Sequence, residues 1–236
     1  MYDNNWDQYY HMTYLVRKQK ALWDVSPEQA VASDQKIFDP HFDRALKVLD
    51  LGCGTGGQSE YLSAHYDEVL GVDVSANAVA LAREQVEKSN VSFDALDITQ
   101  ALEAFDIARL GGPFNIYMRG VLHQIKEKDI PTFQDNLSKL LGESGTLYAV
   151  EVGDSIRDHF SQAKGGFSKL PTRLRQVFIS NLPPKGLSLT NIPDYFPAER
   201  FDVLQCGEAK LNTNLQYADE APIYIPAVYV LLKNKL

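Results

Sequence analysis

Short apolar runs along this chain alternate with longer stretches in which apolar residues recur every three or four positions. That is the pattern of a parallel sheet covered by helices. Lys47-Val48-Leu49-Asp50-Leu51 predicts a buried strand running into a glycine loop, with a helix from Gly57 to about Tyr66 after it. Glu68 to Val74 (EVLGVDV) predicts a second strand, and Ser75 caps a helix with Ala78, Leu81, Ala82 and Val86 on one face. Asn90 to Phe93 predicts a short third strand leading to Asp97. Phe114 to Met118 predicts a fourth, closely followed by Arg119 to Ile125; a helix over Ile130–Leu141 and a fifth strand, Thr146 to Val152 (TLYAVEV), come next. Ahead of the first strand, residues 7–22 and 27–38 predict two helices, the second with Ser26 as N-cap and Pro27 at its first position.

Residues 153–200 break the rhythm with Gly165-Gly166, Pro171, Pro183-Pro184, Pro193 and Pro197. The stretch is too long for an ordinary connection and too apolar for disorder, so it predicts an inserted cap with one helix near 172–181. Phe201–Leu211 and Ile223–Leu232 then read as strands with no helix-length segment between them, which predicts an antiparallel hairpin. The expected architecture is one α/β domain over residues 1–236: seven strands, mostly parallel, with helices on both faces and an antiparallel C-terminal hairpin.

Composition narrows the class without changing that picture. The 236 residues are 44% hydrophobic and 23% charged, which excludes a disordered, collagen-like or coiled-coil chain. No apolar run reaches the roughly 18–20 residues that span a bilayer, and the start, MYDNNWDQYYHMTY, has no secretory h-region. A cytoplasmic protein with no membrane partner is expected. The charge is −8, from 23 basic and 31 acidic residues. The densest basic cluster, Arg17, Lys18 and Lys20, is too small for a nucleic-acid stripe, so nucleic acid is not expected as a partner. Cys53 and Cys206 both read as buried free thiols in a reducing compartment, and no metal site is expected.

The sharpest local signal is Val48-Leu49-Asp50-Leu51-Gly52-Cys53-Gly54-Thr55-Gly56-Gly57. A strand ends in a glycine-rich turn that opens a helix, where glycine lets the backbone turn tightly and a ligand approach. About 20 residues on, Asp73 ends the second strand, where a carboxylate can accept both hydroxyls of a ribose. Gly52, Gly54 and Gly57 also fit G-x-G-x-x-G, the pattern of dinucleotide enzymes. Two features decide against that reading. Asp50, just before the glycines, repels a pyrophosphate but suits a sulfonium and an α-amino group, and a dinucleotide fold of parallel strands does not end in a hairpin.

Taken together, VLDLGCGTG, the acid of GVDVS, the acid of ALDI and the segment GVLHQI resemble the class I S-adenosylmethionine-dependent methyltransferases, in the version seen in small-molecule enzymes. The resemblance covers Lys47 to about Val152 and the final hairpin. It implies a Rossmann-like fold, S-adenosyl-L-methionine as cofactor, and methyl transfer to an oxygen or nitrogen of a small molecule by in-line displacement. It implies that Gly52, Cys53, Gly54 and Gly56 lie under the methionine part, anchored by Asp50. It further implies that Asp73 with Val74 holds the ribose, that Asp97 and Ile98 meet the adenine amino group, and that Arg119 offers a backbone carbonyl to the methionine amino group. His123 falls at the mouth of the pocket, and the N-terminal helices, residues 1–40, at the place of a lid. The family often has an acid where Asn115 stands, and the Asn removes an anionic contact near the sulfonium.

His123 is the candidate for chemistry, because an imidazole titrates near neutrality and can take a proton from a hydroxyl or amine. Its plainer reading is a half-buried residue that only orients substrate. Arg173 and Arg175, in the insert, either grip a substrate anion or lie on a solvated helix face. Trp6, Tyr9, Tyr10 and Tyr14 form an aromatic stripe that either packs a core or lines a substrate site, with Tyr10 and Tyr14 the candidate contacts. The rival functions are a nicotinamide-dependent oxidoreductase, a non-catalytic S-adenosylmethionine-binding subunit, and a protein or RNA methyltransferase.

Overall fold

The structure is a computed structural model, and it describes residues 2–162, 167–179, 186–217 and 219–235. Its strands are β1 (Lys47–Leu51), β2 (Val69–Asp73), β3 (Val91–Ala95), β4 (Phe114–Arg119), β5 (Thr146–Val152), β6 (Phe201–Gln216) and β7 (Pro222–Asn234). They form one sheet in the order β3-β2-β1-β4-β5-β7-β6. Strands β1 to β5 are parallel, and β7 enters antiparallel between β5 and β6. The chain moves outward from β1 to β3 and then crosses back to β4 on the other side. The crevice above the C-terminal ends of β1 and β4 is therefore the topological switch point, where ligands bind in open α/β sheets.

The central strands are mostly apolar because both faces are covered. All seven residues of β5 are buried. Successive side chains alternate between two cores. Ile116, Met118, Leu147 and Ala149 meet Phe133, Leu137, Leu140 and Leu141 of α6 (Ile130–Leu141). On the other face, Tyr117, Tyr148 and Val150 meet Val31 and Phe38 of α2 (Val31–Phe38) and Leu62 of α3 (Gly57–Leu62). Tyr117, Tyr148 and Tyr229 stack across β4, β5 and β7, with neighbouring ring planes 11° and 23° apart. Ser75 accepts the Ala78 N–H at the start of α4 (Ala76–Gln85), as its position implies.

Several expectations need correction. The first helix, α1, covers Tyr2–Tyr10 and continues as a π-helical turn over His11–Val16. It ends early because Lys18 takes a positive φ of 54° and the Tyr14 hydroxyl accepts the Ala21 N–H, folding the chain back. The second predicted helix splits at Ala30 into a 3-10 turn (Pro27–Gln29) and α2. Ser26 stands at the N-cap position, but its side chain makes no capping bond. A helix absent from the sequence reading, α5 (Ala104–Leu110), starts where Asp106 accepts the Glu103 N–H and stops at left-handed Gly111. The insert holds three helices among the described residues, α7 (Ile156–Ser161), α8 (Thr172–Ile179) and α9 (Ile192–Tyr195). The last two residues of the helix expected near 172–181 lie outside the described residues.

Cys53 is buried, but Cys206 is exposed, because β6 is the edge strand and turns it to solvent. Asn115 lies at the start of β4, the end of the strand remote from the switch point. It is fully buried and clamps Asp43, accepting its N–H (3.2 Å) and donating to its carbonyl (2.7 Å). It therefore has no bearing on a sulfonium at the other end of the sheet.

Asn136 of α6 fixes the loop after β3. Its amide donates to the carbonyls of Ile98 (2.8 Å) and Gln100 (2.6 Å) and accepts the Leu102 N–H (3.0 Å). Leucine there leaves three backbone groups without partners. Asn136→Leu should lower the unfolding free energy by about 3 kcal/mol, seen as a lower urea midpoint at unchanged m-value.

Candidate functional site

β1 ends at Leu51 and the chain turns through Gly52, Gly54 and Gly56, all at positive φ (84°, 55° and 85°), before α3 begins. Val72 of β2 accepts the N–H groups of both Gly52 and Cys53, so the neighbouring strand sets the turn. Two of these glycines are also needed for space. A Cβ on Gly52 would lie 2.3 Å from a Val121 methyl, and one on Gly54 would lie 2.9 Å from the Tyr10 hydroxyl. The first contact puts the loop after β4 against the loop after β1.

Two carboxylates are buried beside this loop. Asp50 accepts the Ser59 hydroxyl at 2.6 Å. Burial, opposed by that bond and reinforced by Asp73, pushes its carboxyl up to about 7. Asp73 accepts the Gly54 N–H (3.0 Å) and the Ser75 N–H (2.9 Å) on different oxygens. Burial pushes it up to about 6, against the pull of those bonds and with Asp7 adding repulsion. Among the described residues neither carboxylate has an ion-pair partner. Burial and the two anions also push the Cys53 thiol up.

The N-terminal segment lies over the acid at the end of β2. Asp7 of α1 accepts the Ser75 hydroxyl (2.6 Å) and the Asn77 N–H (3.0 Å), and its carbonyl accepts the Asn77 side chain (3.2 Å). Tyr10 is buried, and burial together with Asp73 raises its hydroxyl. Tyr14 stacks on Tyr10, donates to Asp24 (2.8 Å) and accepts the Ala21 N–H. Tyr9 stacks on Trp23. Arg173 of α8 donates to the Lys20 carbonyl, and Arg175 to the Thr172 hydroxyl (3.1 Å). The aromatic stripe thus packs the N-terminal segment onto Ala78 and Leu81 of α4, with the Tyr10 hydroxyl beside the loop, and Arg173 ties the insert to that segment.

At the other flank, Arg119 ends β4 and turns its side chain to Asp34 of α2 at 3.2 Å, where Tyr117 also donates (2.9 Å). Burial raises Asp34, while Arg119 and Tyr117 pull it down. One residue past a left-handed Gly120, Val121 opens a short turn carrying His123. His123 Nδ1 lies 3.0 Å from Glu151 Oε2. Glu151 also accepts the N–H groups of Val121 (2.6 Å), Leu122 (2.7 Å) and His123 (3.4 Å). Sequence reasoning missed Glu151. Its signal was a lone acid inside an otherwise apolar strand.

Asp97 follows β3 and caps the next turn, accepting the Thr99 N–H (2.9 Å) and hydroxyl (2.6 Å) on one oxygen. Ile98 is buried in the core, and Val74 is half-buried beside Asp73. Two hollows open nearby. One of about 360 Å³ lies between Ser26, Thr55, Gly57 and Glu60. The other, about 610 Å³, lies between α6 and the insert and is lined by Gln134, Gly186, Asn191 and Tyr195. The larger hollow is not at the glycine loop, so the site is placed by the buried carboxylates and not by size. Among the described residues no group of acids, histidines and cysteines is arranged to hold a metal, and no helix is long and apolar enough to cross a membrane.

Residues 48–145 match the family described as methyltransferase domain. The chain is similar to a SAM-dependent methyltransferase from Anabaena variabilis, whose crystal structure superposes with a TM-score of 0.89. The two are 30% identical, and the match covers 99% of this chain and 95% of that one. Among curated proteins, it is similar to a phosphoethanolamine N-methyltransferase of Triticum aestivum, 29% identical over 155 residues, or 63% of this chain and 26% of that protein. It is also similar to the mRNA cap guanine-N(7) methyltransferase of Schizosaccharomyces pombe, 25% identical over 195 residues, 72% of this chain and 54% of that one. This chain therefore spans only part of each of these two curated relatives.

The raised Asp50 carboxyl has a thermodynamic consequence. Folded chains hold a proton there up to about 7, while an unfolded aspartate releases it near 3.9. Between those values the folded state binds more protons, so this group makes stability fall as pH rises. Thermal melts from pH 5 to 8 should show wild type losing ground to Asp50→Asn as pH increases. A melting-temperature difference that stays flat across the range would contradict the burial of the anion.

Proposed function

The chain belongs to the S-adenosylmethionine-dependent methyltransferases, and from that premise we propose that it moves a methyl group from S-adenosylmethionine to an oxygen or nitrogen of a small-molecule acceptor. One observation carries the reading: Val121 packs on Gly52, so the turn bearing His123 is built against the glycine loop. A cofactor-binding loop and a proton acceptor thus share the switch point of the sheet.

The residues suit the cofactor. Two buried carboxylates without ion-pair partners among the described residues favour a cationic group and disfavour a pyrophosphate, which argues against the nicotinamide alternative. When bound, S-adenosylmethionine supplies a methyl group activated by a sulfonium. In this proposal Gly52, Cys53, Gly54 and Gly56 lie beneath its methionine part, with Asp50 anchoring the loop. Asp73 and Val74 hold the ribose. Asp97 and Ile98 meet the adenine end, and the Arg119 backbone meets the amino group. A carboxylate has about four acceptor positions, so Asp73 can take ribose hydroxyls while keeping its bonds to Gly54 and Ser75.

His123 then serves as the base that takes the proton an O–H or N–H acceptor must lose. Most of the remaining work is alignment and exclusion of water. Residues 1–40 and the insert 153–200 supply the cover; Asp7 and Tyr10 tie the first to the rim, and Arg173 ties the second to the first. A net charge of −8 with scattered basic residues supports a small acceptor over a polynucleotide.

Two measurements test the assignment. Asp73→Ala removes a charged acceptor, worth about 1.5–3 kcal/mol per bond, so S-adenosylhomocysteine affinity by calorimetry should fall at least about tenfold. Unchanged affinity would sink the cofactor placement. His123→Ala should lower kcat by about 10²–10⁴-fold with cofactor affinity retained, read by tritium transfer from S-adenosylmethionine to a panel of phenols, alcohols and amines. A variant with a raised KM and intact kcat would reduce His123 to an orienting contact.

A further inference from the structure

We infer that Glu151 is a positioning residue that holds His123 in the tautomer with its proton on Nδ1, leaving Nε2 as the atom that accepts the acceptor's proton. The inference rests on the reading of His123 as base and goes beyond it by saying which nitrogen acts and why.

Glu151 sits in β5, paired with Val228 of β7, and is wholly buried. A buried carboxylate is costly unless donors surround it, and here every recorded partner is a donor or is free to be one. Oε1 takes the Val121 and Leu122 N–H groups at 2.6 and 2.7 Å. Oε2 faces the His123 N–H at 3.4 Å and its Nδ1 at 3.0 Å. The backbone groups can only donate. A carboxylate has no proton to give, so Nδ1 must carry one for that contact to be a hydrogen bond. The neutral ring then bears its lone pair on Nε2, on the side away from Glu151.

The same oxygens fix the position of the ring, because they hold the turn on which it is mounted. A half-buried imidazole on a turn after a glycine at positive φ would otherwise be free to rotate. In the transfer, the acceptor's O–H or N–H bond breaks. Its electron pair stays with the acceptor and forms the bond to the methyl carbon as the bond from that carbon to sulfur breaks. The pair of the broken bond stays on sulfur, so that S-adenosylhomocysteine leaves, and the proton goes to Nε2. The imidazolium so formed keeps its Nδ1–H on an anion, which stabilises the charge that appears there. Water takes the proton afterwards.

Glu151→Gln separates this role from a merely structural one. The amide oxygen can keep the two short bonds to Val121 and Leu122. Its NH₂ then faces Nδ1 and donates to it, which moves the ring proton to Nε2 and removes the acceptor. Ring ¹⁵N shifts in the ligand-free full chain, assigned with His123→Gln, report the tautomer directly. Wild type should be Nδ1–H, and Glu151→Gln should be Nε2–H, with S-adenosylhomocysteine affinity unchanged. Turnover with whichever panel acceptor wild type methylates should drop about 10²–10⁴-fold in kcat with little change in KM. Finding Nε2–H in wild type, or one tautomer in both proteins, overturns the inference, and the wild-type spectrum decides even if the variant does not fold. A tautomer that switches while kcat stays put upholds the hold of Glu151 on the ring and removes His123 as base.

Discussion

Burying negative charge where the sheet reverses direction is the constraint to which the rest of this molecule answers. Asp50, Asp73 and Glu151 all lie out of water near the C-terminal ends of the central strands. A carboxylate in that position must be surrounded by donors or matched by a cation. Glu151 is surrounded, by three backbone N–H groups and a ring nitrogen. Asp73 has two amide donors and Asp50 has one hydroxyl. Glu151 is therefore satisfied inside the protein, whereas Asp50 and Asp73 retain acceptor capacity. Glycine at positions 52 and 54 follows from the same crowding, since a side chain there would strike Val121 or Tyr10.

The N-terminal segment is attached to this rim by polar side chains, Asp7 half-buried and Asp34 buried. Asp7 caps the helix that begins beside Asp73, and Asp34 pairs with Arg119 at the end of β4. An ion pair as buried as Asp34–Arg119 adds little net stability, because desolvation offsets the attraction. What it does is register: α2 has one seat on the sheet, with Tyr117 donating to the same carboxylate. The N-terminal segment is thereby indexed to the strand that leads to His123.

Much of this was legible before the structure. Strands β1, β4 and β5 stand out because a strand buried on both faces is a continuous apolar run, and α6 because its apolar positions keep a strict helical spacing. The glycine loop and Asp73 are readable because a strand, a tight turn through glycines at positive φ and an acid at the end of the next strand are written in nearby residues. What escaped depends on tertiary context. Helix α5 is one short turn pair whose start is signalled only by Glu103 and Asp106. Asn115 was placed by analogy with an acid near a ligand, but its strand position puts it at the opposite end of the sheet. Cys206 looked buried because an edge strand and an inner strand share the same composition. Glu151 could be noticed as an oddity in TLYAVEV, but its meaning lies in a turn 28 residues earlier in the chain.

The order of strands also governs how the protein is made. β5 is covered on one side by β4, which is synthesised before it, and on the other by β7, which comes after it. Pro222 follows Val152 by 70 positions, so at about 5–20 residues per second a ribosome needs several seconds to deliver the missing neighbour. During that interval the seven residues of β5 present an open, apolar edge, the kind of template that recruits foreign strands. The acid that orients His123 is on that edge. The nascent chain is thus open to mispairing at β5 until β7 arrives, and β6 and β7, adjacent in sequence, meet through short-range contacts once both have emerged.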